Sequence, residues 1–107
     1  MSSNDVFFEL GYSFELEKRY DLAEEYYLMA IERNSVNAPI YLGILYYNQN
    51  KFIEAEKYYL MALENKDQYA AFNLGLLYEM KFNNMEMAEK YYKKCSILPI
   101  LNNFVTL

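Results

Sequence analysis

The sequence repeats itself with a period of 32 to 33 residues, and this period restricts the fold more than any other feature. Three segments align, and the third carries one extra residue within the stretch 81–85. The shared positions are Leu-Gly at 10–11, 42–43 and 74–75, Ala-Glu at 23–24, 55–56 and 88–89, and Tyr-Tyr at 26–27, 58–59 and 91–92. A chain made of similar units of this length is expected to stack them, so that each unit contacts mainly its neighbours.

Each repeat is predicted to contain two helices. In the first repeat, Phe7, Leu10 and Phe14 recur at three- and four-residue steps, and Ala23 and Tyr27 continue this spacing in the second half. The strict alternation of a half-buried strand is absent. Polar breaks divide the chain at 17–20, 34–39, 48–51, 65–68 and 81–84. We therefore predict helices near 5–17, 20–33, 37–49, 52–65, 68–81 and 85–97.

Candidate N-caps precede several of these helices. Asn37 is followed by Pro39, which suits the first turn of a helix, and Asp67 precedes the third repeat. Asn4 or Asp5 is expected to serve in the same way at the start of the first repeat.

Small residues recur where helices are expected to approach closely. Gly11, Gly43 and Gly75 occupy equivalent positions, although glycine within a helix costs about 1 kcal/mol relative to alanine. Close helix contact must therefore compensate for this cost. One pair of helices cannot bury its apolar face alone, whereas stacked pairs can. The predicted fold is all-α: a right-handed α-solenoid of three antiparallel helix pairs plus a short C-terminal helix.

The chain is predicted to be one domain over 1–107, with repeats at about 5–36, 37–67 and 68–98. Residues 99–107 resemble the opening of a fourth repeat, because Phe104 and Leu107 fall where Phe7 and Leu10 fall in the first. This segment could cap the third pair, belong to a longer array, or pair with another copy of the chain. Homo-oligomerisation through the C-terminal end is accordingly one expectation.

The charge and the composition exclude several classes of protein. Ten basic residues against fifteen acidic ones give a formal charge of −5, so a strong grip on nucleic acid or on an anionic membrane is not expected. No apolar stretch approaches the roughly 20 residues of a spanning helix. The single cysteine indicates a reducing compartment, and we expect a cytoplasmic protein.

No catalytic site is predicted. The chain has no histidine, and it lacks both a phosphate-cradling glycine loop and a nucleophile elbow. The neighbouring carboxylates of Glu24 with Glu25 and of Glu54 with Glu56 are expected on outward, solvated helix faces rather than in a cleft. Cys95 is expected to be a small core residue. We predict no catalytic residue, no cofactor and no metal site, and therefore no enzyme.

The repeats resemble the tetratricopeptide-repeat superfamily, and the paired tyrosines resemble its Sel-one-like branch. The residues that carry this resemblance are Leu10, Gly11, Phe14, Ala23, Tyr27 and Ala30, then Leu42, Gly43, Tyr46, Ala55, Tyr59 and Ala62, then Leu74, Gly75, Tyr78, Ala88, Tyr92 and Cys95. The glycine-to-alanine spacing of 12 in the first two repeats matches the ordinary tetratricopeptide pattern. The resemblance implies a non-catalytic scaffold or adaptor for protein–protein interaction.

By this resemblance, one face of the first helix of each repeat lines a concave groove that binds a partner. The implied groove residues are Phe8, Glu9, Tyr12, Glu15 and Leu16, then Ile40, Tyr41, Ile44, Tyr47 and Asn48, then Phe72, Asn73, Leu76, Glu79 and Met80. The alternative is that these residues only cover the inner surface or pack against the terminal helix.

The implied groove does not resemble that of the chaperone-binding members, which hold a terminal carboxylate with lysines and asparagines. Its residues include no lysine, and Tyr12, Ile44 and Leu76 stand where a clamp asparagine would be. An aromatic and aliphatic trough edged by glutamates suits an amphipathic helix or a basic–apolar peptide. The alternative function is that of a structural assembly module, in which the open ends of the solenoid stack on those of other copies.

Overall fold

The structure is a computed structural model that describes residues 5–95. Six α-helices follow one another: α1 (Val6–Leu16), α2 (Tyr20–Glu32), α3 (Ala38–Asn48), α4 (Phe52–Glu64), α5 (Ala70–Met80) and α6 (Met85–Lys93). These are the six helices that the periodicity predicts, and no strand occurs between residues 5 and 95. The predicted C-terminal helix and the segment 99–107 lie outside the described residues.

The helices pack in sequential order, as expected of a helical solenoid. Helices α1 and α2, α3 and α4, and α5 and α6 form pairs, while α2 packs on α3 and α4 packs on α5. The extra residue of the third repeat lies in the turn between α5 and α6, which spans four residues where the equivalent turns span three. The insertion therefore leaves the pairing unchanged.

The recurring small residues lie at the helix contacts. Gly11, Gly43 and Gly75 are all buried, each beneath a tyrosine ring of the second helix of its own repeat. Leu42 and Leu74 are fully buried, whereas the equivalent Leu10 is 39% exposed. Leu10 differs because no helix within residues 5–95 covers the outer side of α1.

Five residues with left-handed backbone make the turns between the helices. Four of them lie two residues beyond the end of a helix, namely Lys18, Asn34, Asn50 and Lys66, and Asn83 lies three residues beyond the end of α5. After α1, the Arg19 N–H donates to the carbonyl of Phe14 (2.9 Å) and the Lys18 N–H to that of Glu15 (2.9 Å). This is the Schellman pattern, which satisfies the last carbonyls of a helix.

Two of the predicted N-caps are wrong. Asn37 and Asp5 precede α3 and α1, but neither side chain accepts a bond from its helix. The Oγ of Ser35 instead accepts from the Ala38 N–H (3.3 Å). The carboxylate of Asp5 accepts from the Ser35 hydroxyl (3.0 Å) and from the Asn37 amide (3.2 Å), and so ties the first repeat to the second.

The third predicted N-cap, Asp67, does not cap its helix either, whereas Asn84 does. The Asp67 side chain accepts from the Tyr69 N–H (2.9 Å), but Tyr69 precedes α5, and α5 receives no side-chain cap bond. Asn84, which the sequence analysis did not single out, accepts from the Met87 N–H (3.0 Å) at the start of α6. The predicted alternative Asn4 lies outside the described residues.

Candidate functional site

The first helices of the three repeats lie side by side and form one face, which we call the inner face (α1, α3 and α5). Aromatic contacts join α1 to α3, since the ring of Tyr41 lies 4.9 Å from that of Phe8 and 5.6 Å from that of Tyr12. Ile44 of α3 and Leu76 of α5 line a common pocket. These contacts place implied groove residues of neighbouring repeats beside one another.

Five apolar side chains of the inner face are open to solvent. Their exposed fractions range from 36% to 66%, and they are Tyr12, Leu16, Tyr41, Ile44 and Met80. Glu9, Asn48 and Glu79 are exposed as well, whereas Phe8, Glu15, Tyr47, Phe72, Asn73 and Leu76 are half-buried.

Ile40 is a correction to the implied groove. Its side chain is only 6% exposed and belongs to the hydrophobic core. Helix α3 packs on both α2 and α4. The equivalent residues Phe8 and Phe72 are half-buried, so positions transferred from one repeat to the next do not have the same exposure.

Two pockets open on the inner face. The first, of about 350 Å³, lies between the first two repeats and is lined by Tyr12, Glu15 and Leu16 together with Tyr20 and Asn48. The second, of about 220 Å³, lies between α3 and α5 and is lined by Ile44, Tyr47, Tyr59, Asn73 and Leu76. We call the second one the central pocket.

Two lysines lie at the edges of the inner face, although the implied groove residues include none. Lys18 lines the first pocket. The Lys81 ammonium lies 5.7 Å from the ring centre of Tyr47 and 5.2 Å from that of Phe52, a cation–π arrangement. Both lysines come from turns, which the implied groove residues did not include.

The tyrosines that cover the glycines carry hydroxyls that reach the inner face. The Tyr27 hydroxyl donates to Glu15 (2.5 Å), and that of Tyr92 donates to Glu79 (2.8 Å). Burial, and then the bonded carboxylate, raises the pKa of both phenols, to about 12 at Tyr92. These phenols therefore remain neutral hydrogen-bond donors well above physiological pH.

A second set of tyrosine–glutamate bonds joins successive repeats. The Tyr46 hydroxyl on α3 donates to Glu24 on α2 (2.5 Å), and the Tyr78 hydroxyl on α5 donates to Glu56 on α4. The expectation that Glu24 and Glu56 are freely solvated is therefore wrong. They are half-buried acceptors in the contact between repeats, which a reading of single helices does not show.

Two further features bear on the kind of site. None of the helices between residues 5 and 95 has the length and apolar character needed to cross a membrane. In the same part of the chain, no three histidine, cysteine, aspartate or glutamate side chains converge as metal ligands would. Cys95 is a buried free thiol.

Repeated helix pairs in which a tyrosine of the second helix packs on a glycine of the first define a helical-repeat protein. The sequence profile of the tetratricopeptide repeat matches residues 5–37 and 69–96, and the chain belongs to the tetratricopeptide-repeat family. No curated protein and no solved structure matches the chain. Tetratricopeptide repeats generally mediate protein–protein interactions.

Proposed function

We propose that the protein is a non-catalytic interaction module that binds a segment of a partner protein on its inner face. The observation that carries this proposal is the surface of exposed aromatic and aliphatic side chains on α1, α3 and α5. Exposed apolar side chains that lie together beside pockets are typical of interaction sites.

The charges beside this surface support a partner with basic as well as apolar side chains. The carboxylates of Glu9 and Glu79 are exposed on α1 and α5, and the whole chain carries a formal charge of −5. A lysine or arginine on the partner would be attracted to these carboxylates, and the attraction would decrease with added salt. An amphipathic helix and a basic–apolar peptide both meet these requirements.

The bonds between repeats make stacking of whole copies the weaker alternative. Glu89 is equivalent to Glu24 and Glu56, which accept the hydroxyls of Tyr46 and Tyr78. A second copy stacked on α6 in the same register would bring its Phe14 to Glu89. Phenylalanine has no hydroxyl to donate, so this contact would lack the bond that joins the repeats within the chain.

Selection from a random peptide library displayed on phage tests the proposal. We expect the enriched peptides to combine aromatic or aliphatic residues with lysine or arginine. The binding of a synthetic copy is then measured by fluorescence anisotropy for Ile44→Ser and for Ile53→Ser. Ile44 lies on the inner face, whereas Ile53 is the matched control, an isoleucine 70% exposed on α4.

We expect Ile44→Ser to weaken binding about tenfold and Ile53→Ser to leave the affinity unchanged. Equal affinities for both variants would rule out the inner face as the binding site. Light scattering tests the alternative, because a dimer that is lost when residues 99–107 are deleted would favour the assembly module.

A further inference from the structure

The middle repeat departs from its neighbours at one hydrogen bond. In the first and third repeats, the tyrosine over the glycine donates its hydroxyl to a glutamate of the first helix. In the middle repeat, Tyr47 occupies the place of Glu15, and the Tyr59 hydroxyl makes no hydrogen bond within residues 5–95. Tyr59 is nevertheless only 3% exposed.

This unpaired donor lies at the edge of the central pocket. Tyr59 lines it together with Tyr47 and the half-buried amide of Asn73, while Ile44 and Leu76 supply its apolar walls. None of these five residues carries a carboxylate, so the lining offers no charged acceptor for the Tyr59 hydroxyl. No buried side-chain oxygen or nitrogen between residues 5 and 95 lacks a hydrogen-bond partner. The Tyr59 hydroxyl therefore reaches the solvent of the pocket, where a ligand can accept its hydrogen bond in place of water.

We propose that the central pocket binds a neutral amide carbonyl of the partner, with the Tyr59 hydroxyl as the donor and an adjoining apolar side chain between Ile44 and Leu76. This inference rests on the proposed function and names the chemistry that the partner must present at the middle repeat. The glutamates of the outer repeats, by contrast, present acceptors already occupied by Tyr27 and Tyr92.

The pocket favours a neutral acceptor over a carboxylate. Its lining contains no cation, and the nearby Lys81 ammonium lies over the rings of Tyr47 (5.7 Å) and Phe52 (5.2 Å). A carboxylate placed between Ile44 and Leu76 would therefore be desolvated without a counter-charge, which is costly. Burial and the neighbouring Tyr47 also raise the pKa of Tyr59, so the phenol stays protonated and able to donate.

The test uses the peptide selected on the intact protein and removes one oxygen atom. Tyr59→Phe deletes the hydroxyl without opening a cavity, and we expect about three- to tenfold weaker binding with an unchanged melting temperature. Tyr58→Phe is the matched control on the same helix, because Tyr58 packs against Tyr46 away from the central pocket. It should leave binding unchanged.

A second variant supplies the missing carboxylate. In Tyr47→Glu, the new side chain is placed to accept the Tyr59 hydroxyl as Glu15 accepts that of Tyr27. We expect weaker peptide binding, and no further loss when Tyr59→Phe is added to it. A further loss would mean that the hydroxyl still serves the partner, which contradicts the proposed competition.

The source of the carbonyl is identified on the peptide. Alanine replacement of each asparagine or glutamine removes a side-chain amide, and backbone ester replacement weakens one main-chain carbonyl at a time. The acceptor is the peptide carbonyl whose replacement abolishes the difference in affinity between the original protein and Tyr59→Phe. If Ile44→Ser weakens binding but Tyr59→Phe does not, this inference fails and the proposed function stands; if neither variant weakens it, both fail.

Discussion

The ring of Tyr59 occupies the space that a side chain on Gly43 would need. A Cβ atom built on Gly43 would lie 2.6 Å from Cδ1 and 2.7 Å from Cε1 of Tyr59, well inside van der Waals contact. The same relationship joins Gly11 to Tyr27 and Gly75 to Tyr92. In each repeat, therefore, a tyrosine ring of the second helix packs directly on the glycine backbone of the first helix.

Gly43→Ala is expected to destabilise the fold. Alanine favours the helix by about 1 kcal/mol, but overpacking against a rigid ring and the Ala55 carbonyl, 3.4 Å away, costs about 1–3 kcal/mol. Because Tyr59 is almost fully buried, its ring has little room to move. We expect a lower urea midpoint at an unchanged slope.

Ser13→Ala is the control for helix propensity, because Ser13 is an exposed residue of α1. It should raise the midpoint slightly. A Gly43→Ala protein as stable as the original would show that the contact with Tyr59 yields easily and does not require glycine.

Tyr46→Phe is expected to weaken the contact between the first and second repeats. It removes the hydroxyl that donates to Glu24 and leaves a half-buried carboxylate without that donor. A hydrogen bond to a charged group contributes about 1.5–3 kcal/mol. Urea denaturation should show a loss near the lower end of this range, because water reaches Glu24.

Tyr26→Phe serves as the comparison for Tyr46→Phe. Tyr26 stacks on Phe14 (5.4 Å between ring centres) and makes no side-chain hydrogen bond within the described residues. Its variant should retain the original stability. If both variants lost the same free energy of unfolding, the effect of Tyr46→Phe would not come from the hydrogen bond with Glu24.

Alkaline pH is expected to destabilise the protein through its buried phenols. Burial raises the pKa above 10.0 for Tyr27, Tyr46, Tyr59, Tyr78 and Tyr92, and in all but Tyr59 a bonded glutamate adds to the effect. A folded-state pKa above the unfolded value favours the folded form while the phenol is protonated. This contribution is complete below pH 10 and is lost as the pH rises toward the folded pKa, which is about 12 at Tyr92.

The free energy of unfolding, measured by urea denaturation at a series of pH values, should accordingly fall from pH 10 upward. Tyr92→Phe removes one of these phenols and should make the fall less steep, although it also removes the bond to Glu79. A stability that is constant between pH 10 and 12 would contradict the raised pKa values.

Lys66→Gly is expected to stabilise the protein. Lys66 has φ of 63° in the turn after α4, and this left-handed conformation costs a residue other than glycine or asparagine about 1 kcal/mol. Glycine adopts it freely. We expect a rise in melting temperature of about 4–8 °C per kcal/mol gained.

Asn50→Gly is the matched comparison, because Asn50 has φ of 62° in the turn after α3. Asparagine tolerates this conformation, so the gain should be smaller than at Lys66. The opposite order would show that another property of the Lys66 side chain supports the turn.

The period, the six helices and their pairing could be predicted from the sequence. Apolar residues at three- and four-residue steps specify a helix locally, and equivalent small residues such as Gly11 and Ala23 indicate where helices meet. The left-handed turn at Lys18 was not predicted, because lysine carries no signal for it. The failure of Asn37 to cap α3 was not predicted either, because its amide donates instead to Asp5, a residue 32 positions earlier in the chain.

The sequence by itself thus determined what is local and repeated: which segments are helical, which of their faces are apolar and where bare backbone is available. Only the tertiary structure decided how equivalent residues differ. Leu42 is buried and the equivalent Leu10 is 39% exposed, because α3 packs on both α2 and α4 whereas α1 packs mainly on α2 within residues 5–95. Tyr59 likewise differs from Tyr27 because the residue opposite its hydroxyl differs, a relationship that exists only once the helices pack.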